Sequence, residues 1–82
     1  MYNIIFSDTA LKQFNKLPQN IKERIIAVLK RCKIRPHSFA KKLVGSPYFR
    51  LRTGNYRIII EIQNNQLQIL VIEVGHRRNI YG

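Results

Sequence analysis

Acidic residues are scarce in this chain: four Asp and Glu stand against fifteen Lys and Arg among 82 residues, a formal net charge of +11 at pH 7. The excess is not confined to a tail, since basic residues recur from Lys12 to Arg78. It points to nucleic acid or an acidic partner protein. A basic protein lying on a membrane surface would need a long helix with one cationic and one broad apolar side, and no segment offers it. Cysteine is scarcer still. Cys32 alone cannot form an internal disulfide, and a structural metal would need several Cys, His or carboxylate ligands at regular spacing, so no metal and no cofactor are expected. Cys32 falls in the apolar spacing of a helix and reads as a small buried hydrophobe rather than a nucleophile. Stretches of about 18 apolar residues are missing, as is a charged-then-apolar leader, so neither a membrane span nor a signal peptide is expected and the protein is placed in the cytoplasm. Repeats, linkers and low-complexity segments are also wanting. The length suits one modest core, so residues 1–82 are expected to form a single domain.

What is present is organised around Phe49-Arg50-Leu51-Arg52-Thr53-Gly54-Asn55-Tyr56-Arg57-Ile58-Ile59-Ile60. Two alternating apolar and polar runs joined by Gly-Asn are a β-hairpin signature. A two-residue turn at Gly54-Asn55 sets Thr53 opposite Tyr56, Arg52 opposite Arg57, Leu51 opposite Ile58, Arg50 opposite Ile59 and Phe49 opposite Ile60. Phe49, Leu51, Ile58 and Ile60 then share one face, and Arg50, Arg52 and Arg57 share the other. Like charges directly across a strand pair are destabilising, so the cluster points to a polyanion lying on that face. Arginine suits phosphate because its planar fork donates two hydrogen bonds and stays charged. An ordinary solvated basic face has the same composition.

Around the hairpin the chain reads in order as follows. Ile4, Ile5 and Phe6 form a short strand, and Ser7-Asp8-Thr9 favour a helix start. Ala10, Leu11, Phe14 and Leu17 recur at helical spacing until Pro18. Asn20 and Glu23 predict a capped second helix with an apolar stripe of Ile21, Ile25, Val28, Leu29 and Cys32, ending before Arg35-Pro36. Two helices so closely joined predict a helical hairpin returning the chain to the end of the first strand, and a next strand antiparallel to it. Residues 36–47 read as an ordered loop with a short helical turn, Phe39 and Leu43 plugging the core. After Gln63-Asn64-Asn65-Gln66, the run from Leu67 to Val74 reads as a strand buried on both faces, its register open because apolar residues sit at both parities. The fold class is α+β with element order βααβββ, a small antiparallel-rich sheet packed on a helical hairpin.

The combination Lys42-Leu43-x-Gly45, Phe49-Arg50-Leu51-Arg52, Gly54-x-Tyr56-Arg57 and Gly75-His76-Arg77-x-x-x-Tyr81 resembles the RelE family of toxins, within the wider RelE/ParE superfamily, over the whole chain. The resemblance implies a ribosome-dependent endoribonuclease that cuts mRNA in the ribosomal A site and is held inactive by a small antitoxin of the RelB type. It implies an active surface of Arg50, Arg52, Arg57, Arg77 and Tyr81, three of which the hairpin register singles out independently. On pKa grounds alone His76 is a candidate acid, against the ordinary reading of a lone His next to two arginines as a surface hydrogen-bonding residue. Lys41, Lys42, Tyr48 and Arg78 are candidates for RNA contact. Such a nuclease would use the RNA's own 2′-OH as nucleophile, with arginines stabilising the phosphorane and Tyr81 as base or stacking platform. Glu61 and Glu73 read as strand residues balancing local charge. Two other classes share the charge: a ParE-like gyrase inhibitor, and an RNA-binding module without catalysis.

Overall fold

The computed structural model describes residues 1–76. Its elements are β1 (Asn3–Phe6), α1 (Asp8–Asn15), α2 (Gln19–Ile34), a one-turn α3 (Pro36–Phe39), β2 (Lys41–Lys42), β3 (Phe49–Thr53), β4 (Tyr56–Gln63) and β5 (Gln68–His76), with a 3-10 turn at Asn64–Gln66. The five strands form one sheet in the order β1-β5-β4-β3-β2. Helices cover one face of it: Ala10, Ile25, Leu29 and Cys32 pack against Leu51, Ile58, Ile60, Ile69, Val71 and Val74 in a continuous core. That is the α+β class expected, with one additional short strand.

The β3–β4 hairpin has the register read from the sequence, from Phe49↔Ile60 through Arg52↔Arg57 to Thr53↔Tyr56. Gly54 sits at φ +58°, a left-handed conformation glycine adopts without steric cost and the reason a two-residue turn closes there. Helix α1 is capped by Ser7, whose hydroxyl accepts from the Ala10 N–H at 3.0 Å.

Four expectations are corrected. Helix α2 starts at Gln19, not after Asn20: Pro18 holds the cap position with extended backbone (φ −58°, ψ 152°) and no side-chain cap bond. Glu23 meets Gln19 Nε2 at 3.4 Å instead of reaching back to Asn20. Second, β3 runs parallel to β1, since β1 pairs parallel with β5 and both β5–β4 and β4–β3 are antiparallel. The helices do not cancel, because α2 has 16 residues and α1 only eight. At about 1.5 Å per residue α2 carries the chain past α1 to the start of β1, where the Tyr2 N–H donates to the Lys33 carbonyl at 3.0 Å. Third, Phe39 is half exposed, and Pro36 and Ala40 take the buried positions, because the single turn of α3 turns those two inward. Lys41-Lys42, read as loop, pairs with β3 as an edge strand.

The fourth correction concerns β5, which is buried on one face only. Ile69, Val71 and Val74 are inside, while Leu70, Ile72 and Glu73 are half-buried. Both parities are apolar because the pairing slips: Ile59 opposes Glu73, Ile60 opposes Val71, and Ile72 is the extra residue of a β-bulge. Without the bulge the alternation that buries Ile69 and Val71 would drive Glu73 into the core. Helix α1 and its cap hold the bulge. Ser7 Oγ donates to the Ile72 carbonyl at 3.0 Å, and Gln13 Oε1 accepts the Val74 N–H at 2.8 Å.

Candidate nucleic-acid interface

On the face away from the helices the strands build a cationic surface. Lys41 lies opposite Arg50, and Arg52 opposite Arg57. On its other side Arg57 faces Gly75, and Ile59 faces Glu73. The pleat therefore puts Lys41, Arg50, Arg52 and Arg57 on one surface, with the Arg52 and Arg57 Cβ atoms about 5 Å apart. Ile59 points to this same face yet is only 5% exposed. Its neighbours on that face are Arg50 across one strand pair and Arg57 two positions along its own strand. Arg52 is exposed, whereas Arg50 and Arg57 are half-buried, with the Arg57 Nε shielded from solvent.

The other expected residues separate. Lys42 is exposed opposite Phe49, on the helical side of the short edge strand. Tyr48 is half-buried just before β3; its N–H donates to Ser46 Oγ at 3.1 Å and its carbonyl accepts the Leu43 N–H at 3.0 Å, so its backbone closes the loop into the hairpin. His76 pairs with Tyr56, not with an arginine, and the two rings meet edge to face at 5.4 Å between centroids and 74°. That pair belongs to the helical side, because Gly75 fills the slot next to Arg57. Arg77, Arg78 and Tyr81 lie outside the described residues. Glu73, which the sequence reading assigned only to charge balance, is carried by the bulge onto the arginine face, one row from Arg57. The signal for it was the polar residue breaking an apolar run at Val71-Ile72-Glu73-Val74.

Cys32 is fully buried in α2, and burial pushes its thiol up from 9.0 to about 11. A thiol held protonated is a poor nucleophile, in keeping with a packing role. Among the described residues no helix is long and apolar enough to cross a membrane.

A five-stranded sheet with helices on one side and an arginine surface on the other defines a small basic α+β domain. Residues 4–81 match the family described as "ParE toxin of type II toxin-antitoxin system, parDE". Toxin RelE3 of Methanocaldococcus jannaschii is 33% identical over 85 residues, covering 95% of this chain and 93% of that protein. The mRNA interferase toxin RelE of Escherichia coli K12 is 30% identical over 79 residues, covering 93% of this chain and 83% of that protein. Among solved structures, the toxin-antitoxin complex RelBE2 from Mycobacterium tuberculosis superposes with a TM-score of 0.85 at 25% identity, covering 93% of this chain and 98% of that one. The chain belongs to the RelE/ParE family of toxins of type II toxin-antitoxin systems.

Proposed function

We propose that this toxin, acting as a single domain of residues 1–82 in the cytoplasm, is a ribosome-dependent endoribonuclease that cuts mRNA in the A site and thereby stops translation. The observation that carries this reading is the register that sets Arg52 directly against Arg57 with Arg50 on the same face, a costly arrangement that a bound phosphate backbone offsets. The 2′-oxygen of the RNA attacks the adjacent phosphorus as its proton leaves, the bond to the 5′-oxygen breaks, and that oxygen takes a proton from solvent, giving a cyclic phosphate and a 5′-OH. Arg50, Arg52 and Arg57 bear the charge that builds on the non-bridging oxygens, preorganised by the strand pairing. Arg77 is assigned to the same charge and Tyr81 to the 2′-OH proton or to stacking on a base. Lys41 extends the cationic track along β2, and Lys42, Tyr48 and Arg78 are assigned to RNA contact. His76, paired with Tyr56 on the helical side, is not assigned as the acid. The name of the Escherichia coli relative, an mRNA interferase, supports this class of activity. The RelBE2 complex supports a RelB-type antitoxin as partner, expected to be acidic against the +11 charge.

A ParE-like action on gyrase is the second reading, favoured by the description of the matched family. Primer extension on translated mRNA beside a gyrase supercoiling assay separates the two. Cleavage with Arg77→Ala and Tyr81→Phe each abolishing it is the expected result, insensitive to chelators apart from their effect on ribosomes. Inhibition of supercoiling without cuts would give the second reading, and RNA binding with neither would leave a non-catalytic module. Cleavage that needs added metal would overturn the mechanism.

A further inference from the structure

Among the described residues, the bulge in β5 is the one place where the sheet changes phase, and side chains from outside the sheet hold it. Resting on the nuclease reading above, we infer that Gln13, assisted by Ser7, is a positioning residue for the arginine face: it locks the bulge at Ile72 and so fixes which residues of β5 stand beside Arg57. Beyond the strand ladders, hydrogen bonds from Ser7 and Gln13 reach the bulged segment. The Ser7 N–H donates to the Val71 carbonyl at 2.9 Å, Ser7 Oγ to the Ile72 carbonyl at 3.0 Å, and the Val74 N–H to Gln13 Oε1 at 2.8 Å. Val74 is 1% exposed, so an unmade bond at its N–H is expensive. Gln13 itself is only half-buried on α1, where packing does not require an amide. Its side-chain carbonyl reaches from α1 to the Val74 N–H, two residues past the bulge.

The consequence for the site follows from parity. With Ile72 bulged, Glu73 and Gly75 share the face of Arg57, and Val74 and His76 the helical face. Gly75 puts no side chain opposite Arg57, and Glu73 sets one negative charge against the cations. If the bulge closes, Ile72, Val74 and His76 move to the arginine face, two apolar residues beside Arg57, and Glu73 turns toward the core. His76 is also the last residue before Arg77, so its phase is the last the sheet imposes ahead of that residue.

The test compares the parent with Gln13→Leu and Gln13→Glu in cleavage on programmed ribosomes and in amide exchange and cross-strand NMR contacts. Gln13→Leu keeps the volume and removes the acceptor; Gln13→Glu keeps an acceptor. In Gln13→Leu the expected results are faster exchange at the Val74 amide, loss of the Ile59–Glu73 contact, and kcat lower by about tenfold or more with KM within about twofold. Gln13→Glu is expected to restore all three. Ile25→Val, a core change on α2, serves as a control for stability and should leave kcat unchanged. Should Gln13→Leu not fold, Gln13→Asn, whose amide is one methylene short, is expected to give a smaller kcat loss with the same Val74 signature. A normal kcat in Gln13→Leu, or no rescue by Gln13→Glu, overturns the positioning role. A parent that cuts no mRNA overturns the nuclease reading instead, and the Ile59–Glu73 contact in Gln13→Leu still decides whether the lock exists.

Discussion

Arg52 and Arg57 oppose each other across an antiparallel pair, and this is where stability and function pull apart. Arg52 is exposed, so truncating it loses little packing and relieves the like-charge contact. Arg52→Thr is expected to raise unfolding stability by about 0.2 to 1 kcal/mol while lowering cleavage by about a hundredfold, the scale of losing one preorganised charge donor. Denaturant melts and ribosome assays on the same preparation check both signs, and a variant that loses stability would refute the strain argument. Cys32 gives a pH prediction. Its thiol is raised from 9.0 to about 11 in the folded protein, so above pH 9 the unfolded chain releases a proton that the folded one keeps. The stability from this group is fully present below pH 9 and is lost as pH rises through 11. Melts of the parent against Cys32→Ala should therefore show the stability gap narrowing across that window, and a constant gap would contradict the assignment.

At the scale of elements, Ser7 joins three of them: it ends β1, caps α1 and holds the bulge of β5. Ser7→Ala removes the cap and the bond to Ile72 together, and is expected to cost about 2 kcal/mol, the upper end for a lost N-cap; a loss of a few tenths in urea unfolding would show that the bulge needs no support. The hairpin and its arginine surface were legible because turn chemistry and a period of two act within a dozen residues. Strand direction after the helices was not, since it depends on how far α2 outruns α1 and on the Tyr2–Lys33 contact, which no local pattern encodes. The bulge was half legible. Apolar residues at both parities between Leu67 and Val74 signalled a broken alternation, but which residue bulges is decided by Ser7 and Gln13 from some sixty residues away. The face of His76 follows from the same slip.

For the whole molecule the governing quantity is charge. A domain carrying +11, with cations on the sheet face and along α2, repels copies of itself and draws polyanions from a distance set by the ionic atmosphere, about 8 Å at physiological salt. Both partners proposed here, the ribosome and an acidic antitoxin, are met through the same field, so the antitoxin competes by charge before any contact forms. Association with the antitoxin is therefore expected to slow by about tenfold or more between 50 mM and 500 mM salt, with a much smaller change in dissociation, because long-range attraction acts on the encounter and short-range contacts set the release. Stopped-flow rates across a salt series measure this directly. An on-rate that stays flat while the off-rate carries the salt dependence would mean that the basic surface is read only at contact, and that the charge serves the ribosome rather than the antitoxin.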